Sequence, residues 1–333
     1  MRIENRGVDA KISSGVEGST PSTFKIVTNS ASFDTLSKKL YNDPIRAVIR
    51  ELSCNAWDAH AAAGKKNIPF EVHLPTRLEP WFTVTDFGTG LKFIKGGCST
   101  CNGTGMVSAD VLCTDCDATG DYDAAKRLYC TYFASDKQNT DDFIGGFGLG
   151  SKSPFAYTNK EDDEEDDGGF TVTNHYNGQT FNYSAMVLKG KDADGNPDGT
   201  SFPTVSLQDI LDTPDTPNGV EVTFPVDPSD VWEFENTATS VFEFFQPRPK
   251  LNLELDITTP EYSVQDELWG MRKEEGTLQG SGLRAIQGNV QYSVGNIDVS
   301  RLSATQQKLV NLPIDLFFNV GELQPAAPAN LCS

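Results

Sequence analysis

Residues 51–58, Glu-Leu-Ser-Cys-Asn-Ala-Trp-Asp, decide which fold this chain takes. Glu51, Asn55 and Asp58 are four and three residues apart, so on a helix they share one face. The helix is signalled upstream, where Asn42-Asp43-Pro44 sets an Asx cap before a proline at the first helical position. Its period runs to about Gly64, with Ile45, Ile49, Leu52, Ala56 and Ala59 as the buried stripe. The polar face lies one step round. A carboxylate and an amide one turn apart suit two tasks. Glu51 can accept a proton from an attacking water, and the Asn55 oxygen can ligate magnesium, a hard cation. Taken alone, such a face is ordinarily solvated.

Two further segments belong with it. The alternating runs FEVHL and WFTVTD read as strands, and the second delivers Asp86 at its end, followed by Gly88 and Gly90. A strand-end carboxylate beside glycines can accept a hydrogen bond from an exocyclic amine while a flat ligand approaches the backbone. By itself DFGTG is a turn. GGFGLGSKS, residues 145–153, places Gly145, Gly146, Gly148 and Gly150 ahead of a helix start at Pro154. Successive glycine N–H groups at a helix N-terminus converge on anions, with Ser151 and the Lys152 charge beside them. A P-loop is rejected, because Ser151 separates the last glycine from the lysine and no apolar strand precedes. Alone, the segment reads equally as a flexible hinge.

In combination, E-x3-N-x2-D, D-x-G-x-G and G-x2-G-x-G in this order resemble the GHKL ATPases: type II topoisomerase ATPase domains, MutL, heat-shock-ninety chaperones and histidine kinases. The resemblance implies an α+β Bergerat fold, a two-layer α/β sandwich with ATP under a movable lid. It makes Glu51 the water-activating base and Asn55 the magnesium ligand. Asp86 would read adenine, with Gly88 and Gly90 bordering the base and Asp58 shaping the pocket beside it. Gly145, Gly146, Gly148, Gly150, Ser151 and Lys152 would wrap the phosphates. Many relatives carry a Thr after a Gly on a late strand. Here Val220 takes that place, leaving Thr223 as the candidate for the adenine shell.

IRAVIRELSCNAWDAH and FIGGFGLGSKSPFAYT are also similar to the phage rIIA lysis-inhibitor proteins. That resemblance implies control of lysis timing or protection of infection from exclusion systems, in the cytoplasm of an infected host. It implies a homodimer or an rIIB-like partner protein, with peripheral membrane association open. It also implies a transducer-like, ribosomal-protein-type α/β domain after the first.

The rest of the chain fits a soluble protein of two domains. It has 333 residues, 38% of them hydrophobic, and no apolar run of bilayer length. The N-terminus lacks a secretory pattern, so a cytoplasmic location is expected. A net charge of −20 without a basic stripe argues against nucleic acid as partner. Residues 1–22 read as a flexible arm, FKIVTN as a strand and SASFDTLSKKLY as a helix. A helix is expected over about 122–134. The acidic run EDDEEDDGG reads as a solvated loop. Asn177-Gly178 turns a hairpin. DADGNPDG reads as a turn more than a calcium loop, since it lacks the terminal Glu. GVEVTFPV is a strand, and VWEFENTATSVFEFFQ an aromatic helix. The ATP-binding domain is thus expected over 23–228 and the transducer-like one over 229–333, the latter incomplete at LCS.

Four of the seven cysteines form two tight pairs inside a Gly-rich insertion, residues 96–121. CSTCNGTG and CTDCDATG repeat C-x2-C before a Gly-bearing turn, with eleven residues between the pairs. Cys98, Cys101, Cys113 and Cys116 can close a tetrahedron around structural zinc; the alternative is a reduced, metal-free loop. The repeat resembles the modules of DnaJ-type chaperones. Cys54 reads as a packing residue and Cys130 as a residue of a later helix with no special role, and His60, His73 and His175 as surface or structural ones.

Overall fold

Asp43 opens the first helix, α1 (Pro44–Ala62), by accepting the Arg46 N–H at 2.9 Å. The computed structural model describes residues 43–130, 150–159, 168–191, 197–273, 282–294 and 299–323. The expected N-terminal arm, strand and helix, most of the acidic run and most of DADGNPDG lie outside these residues. The stripe of α1 is buried at Ile45, Ile49, Leu52 and Ala56, while Ala59, expected with them, is half-buried. Burial extends further round, to Val48, Ser53, Asp58 and His60.

Strands β1 (Glu71–His73) and β2 (Trp81–Thr85) follow, antiparallel. Next come β3 (Phe93–Ile94), the hairpin β4 (Met106–Ser108) and β5 (Val111–Leu112), and β6 (Tyr122–Asp123), which pairs with β3. The helix expected from residue 122 begins later, as α2 (Ala124–Cys130). The backbone of Tyr122 and Asp123 is taken by β3, and Asp123 then accepts the Lys126 N–H at 3.0 Å. Residues 131–134 lie outside the described residues. Helix α3 (Pro154–Thr158) precedes the hairpin of β7 (Gly169–Tyr176) and β8 (Gln179–Lys191). Asn177 and Gly178 both have positive φ, 56° and 80°, as the tight turn requires. Strands β9 (Pro197–Asp212) and β10 (Gly219–Pro225), helix α4 (Val231–Val241) and β11 (Lys250–Leu251) follow.

These strands form one mixed sheet, β11-β1-β2-β10-β7-β8-β9. Alternation sends Val72, Phe82, Val84, Val172, Val222 and Phe224 to one face, where α1, α3 and α4 cover them. The opposite face is polar. Glu71, His73, Thr83, Thr85, Glu221 and Thr223 line an open groove there. The two-layer α+β architecture is therefore the one expected. Phe234, Ala238, Phe242 and Phe245 join the same core as Phe82, and β11 runs parallel to β1. The first layer thus extends past the sequence-based boundary near residue 228.

A second sheet, ordered β12-β13-β16-β14-β15, is built from β12 (Tyr262–Gln265), β13 (Trp269–Arg272), β14 (Arg284–Gln287), β15 (Val290–Ser293) and β16 (Ile314–Phe318). Helix α5 (Ala304–Val310) starts with a capping box of Ser303 and Gln306. Fully buried Asp315 gathers Arg272, Arg284 and Tyr262. Arg284 also reaches Glu243 at 3.0 Å, and Val290 enters the first core, so the two sheets are joined. Among the described residues no helix is long and apolar enough to cross a membrane.

Candidate functional site

Helix α1 carries Glu51, Asn55 and Asp58 along the side that meets the turn after β2 and the turn before α3. Glu51 and Asn55 are half-buried and Asp58 is fully buried. Glu51 accepts a hydrogen bond from Arg50 Nη2 at 2.8 Å. Burial opposes the Arg50 charge, but the Glu51 carboxylate outweighs it and holds the guanidinium above its ordinary value.

Asp86 ends β2, buried on the helical side of the sheet. Its Oδ1 accepts the Gly88 N–H at 2.8 Å, which fixes the carboxylate in the turn. Burial, with Asp86 nearby, pushes the Tyr129 phenol up. Gly88 lies against α1: a Cβ there would stand 2.7 Å from Ala59 Cβ. Gly90 has φ +69° and lies against the His175 carbonyl. Gly219 lies against the Asp86 carbonyl in the same way, so a side chain at either position would push the pocket floor open.

Three residues that sequence reasoning did not place in the site hold this floor. The Phe87 N–H donates to His60 Nε2 at 2.8 Å, so the ring proton sits on Nδ1 and is donated to the Ile68 carbonyl at 2.8 Å. Desolvation pushes the His60 pKa down, in keeping with this neutral form. Lys65 Nζ donates to the Phe87 carbonyl at 2.6 Å. Buried Asn174 accepts the Leu91 N–H and donates to the Leu91 carbonyl, both at 2.8 Å.

On the other side, Gly150–Lys152 form a single 3-10 turn running into α3. Gly150 sits against Glu51: a Cβ there would stand 2.5 Å from Oε2. Ser151 and Lys152 are buried, and desolvation pulls the lysine down to about 8. The Ser53, Ser151 and Ser153 hydroxyls are buried with no hydrogen-bond partner among the described residues. Gly145, Gly146 and Gly148 lie outside the described residues.

Thr223, expected in the adenine shell, lies elsewhere. Its hydroxyl meets Thr83 Oγ1 at 2.9 Å on the open polar face, away from Asp86. Strand alternation gives the helical side to Val222 and Phe224, so Thr223 is not brought to the pocket.

The cysteine pairs come together as expected. The four Sγ atoms lie within 4.8 Å of one another, with Cys98–Cys113 at 3.8 Å and Cys101–Cys116 at 3.7 Å. A tetrahedron with Zn–S bonds of about 2.3 Å has edges of about 3.8 Å, so this cluster fits zinc. The two knuckles repeat each other bond for bond. Gly105 N–H donates to Cys101 Sγ at 3.3 Å, and Gly120 N–H to Cys116 Sγ at 3.2 Å. Thr104 and Thr119 hydroxyls each donate back to a cysteine carbonyl at 2.7 Å.

No family model matches the chain, and no curated protein matches it. Among solved structures, the chain is similar to the ATPase region of Saccharomyces cerevisiae topoisomerase II. The TM-score is 0.46 at 12% identity, over 82% of this chain and 72% of that one. The same region bound to dexrazoxane is similar at a TM-score of 0.45 and 12% identity, over 83% of this chain and 73% of that one.

Proposed function

We propose that the chain is a GHKL-type ATPase that binds ATP with magnesium and uses it as a conformational switch. The observation that carries this is the meeting of Glu51 with the Gly150–Lys152 turn. The Glu51 carboxylate faces a turn that holds buried Lys152 and the Ser151 hydroxyl. A phosphate chain offers the acceptor oxygens that the buried Ser151 hydroxyl lacks among the described residues, and negative charge beside the lysine. The ordered turn at Asp86, opened by Gly88, Gly90 and Gly219, suits the flat base at the other end of such a ligand.

In hydrolysis, Glu51 takes a proton from a water. The water oxygen forms a bond to the terminal phosphorus, the bridging P–O bond breaks, and the diphosphate leaves with that electron pair. Arg50 holds the Glu51 carboxylate in place. Lys152 and the Ser151 hydroxyl steady the phosphate oxygens. Asn55 would hold magnesium, which would supply neutralisation of charge on the triphosphate. Cys98, Cys101, Cys113 and Cys116 would hold zinc for structure, since four thiolates leave no open position.

A narrower assignment rests on the rIIA-like stretches around residues 45–60 and 143–158: a phage protein that controls lysis or guards infection in the host cytoplasm. It would act as a homodimer or with an rIIB-like partner, with the second sheet, β12 to β16, as the centre of the transducer. A chain that binds ATP without hydrolysing it is the competing function.

Titration with a non-hydrolysable ATP analogue tests the core of this. The wild type binds and Asp86→Asn loses at least ten-fold in affinity, while Glu51→Ala binds normally and loses turnover. A wild type that binds no analogue overturns the proposal; one that binds but never hydrolyses leaves only the non-enzymatic switch.

A further inference from the structure

The hairpin β4–β5 stands apart from both sheets. Its strands pair only with each other among the described residues. It links the two cysteine knuckles, and its apolar side chains face water: Met106 is 40% exposed, Val107 48%, Val111 52% and Leu112 63%. A ribbon of three and two residues has no independent stability. The cysteine cluster beneath it supplies the rigidity, so these apolar groups are not needed to fold it. Neighbouring apolar groups held exposed on a rigid arm mark an interaction surface.

The charge around the ribbon is mainly of one sign; Lys126, 3.4 Å from Asp117, is a cation beside the second knuckle. Asp110 lies at its turn, and Asp115 and Asp117 flank the second knuckle, all exposed. From residue 98 to 121 every charged residue is acidic. Four thiolates around one divalent ion add further negative charge. A second copy would bring the same acidic rim, and an anionic membrane would be repelled as well. A basic rim on the other side is attracted.

We propose that the β4–β5 ribbon is a docking finger for a protein partner whose apolar surface is flanked by lysine or arginine. Met106, Val107, Val111 and Leu112 enter the apolar part, and Asp110, Asp115 and Asp117 meet the basic rim. Apolar contact supplies affinity and the rim supplies orientation and on-rate.

The test uses the full zinc-loaded chain and a fluorescein-labelled peptide carrying a leucine stripe flanked by lysines, with a twin in which glutamates replace the lysines. Anisotropy reads the binding. The wild type binds the lysine peptide at least ten-fold more tightly than the glutamate twin. Met106→Ser, Val107→Ser, Val111→Ser and Leu112→Ser combined weaken that binding at least ten-fold, while native mass spectrometry still finds zinc. Should the serine variant lose zinc, a second variant carries the test. Asp110→Lys, Asp115→Lys and Asp117→Lys together leave the ribbon intact and shift preference to the glutamate twin. Binding of neither peptide, equal binding by the serine variant, or no shift on charge reversal overturns the proposal. So does a ribbon-dependent dimer in sedimentation, or ribbon-dependent flotation with phosphatidylcholine vesicles.

Discussion

Gly150 packs against the end of the Glu51 side chain. A methyl at Gly150 would sit 2.5 Å from Glu51 Oε2 and 3.4 Å from its Cβ. Gly150→Ala therefore displaces the carboxylate proposed to activate water. ATP turnover is expected to fall at least ten-fold, because catalysis tolerates little misplacement. Steady-state turnover checks it, and an unchanged rate would mean that Glu51 acts from another position.

Lys152 gives the proposed site a pH signature. Burial holds it near 8 in the free protein. A bound phosphate favours the charged form and raises that value, so binding takes up a proton as pH rises through 8. Analogue affinity should weaken from pH 8 upward, by up to ten-fold per pH unit. Lys152→Arg stays charged throughout and should flatten the profile. Calorimetry at pH 7 and 9 reads both.

His60 ties α1 to the turn after β2 through the Phe87 N–H and to the segment before β1 through the Ile68 carbonyl. Its removal as His60→Ala leaves buried groups unpaired and is expected to cost roughly 2–5 kcal/mol. Its pKa is lowered in the folded chain, so the unfolded chain binds the extra proton first. Stability from this residue is complete above about pH 6.5 and is lost as pH falls toward the folded value. The melting-temperature gap between wild type and His60→Gln should narrow between pH 7.5 and 5.5.

Ala118 is the strained member of the cysteine repeat. It holds φ +62° where the first knuckle has Gly103 at +78°. Ala118→Gly removes a cost of about 1 kcal/mol and should slow metal loss to a chelator. Gly103→Ala should speed it, since its Cβ would run into the Gly96 carbonyl.

Arg284 is the hinge pin between the sheets. Arg284→Met leaves Asp315 and Glu243 short of a partner and should destabilise by about 3–5 kcal/mol. Limited proteolysis should then release the segment after residue 257 before the first layer is cut.

What the sequence reveals here is what neighbours in the chain determine. The Asp43-Pro44 start, the turn at Asn177-Gly178 and the register of Glu51, Asn55 and Asp58 follow from local chemistry, and the cysteine repeat carries its own spacing. The floor of the site does not. Asn174 meets Leu91 across 83 positions, and nothing in FTVTNHY distinguishes that asparagine from Asn182. His60 looks like any helical histidine until Phe87 is folded onto it. Thr223, by contrast, is legible: it alternates with Val222 and Phe224, so the period of two already sends it to the polar face. The long strand β9 escapes notice because Pro203, Ser206 and Asp209 interrupt its apolar residues.

Asn174 has one more consequence. Both atoms of its amide are committed to Leu91, which sets where the chain leaves the glycine turn. That end of the pocket is cast when the protein folds and does not wait for an occupant. A ligand arriving there loses its own freedom of motion but need not freeze the wall it meets, so even a fragment without phosphates would find a finished berth.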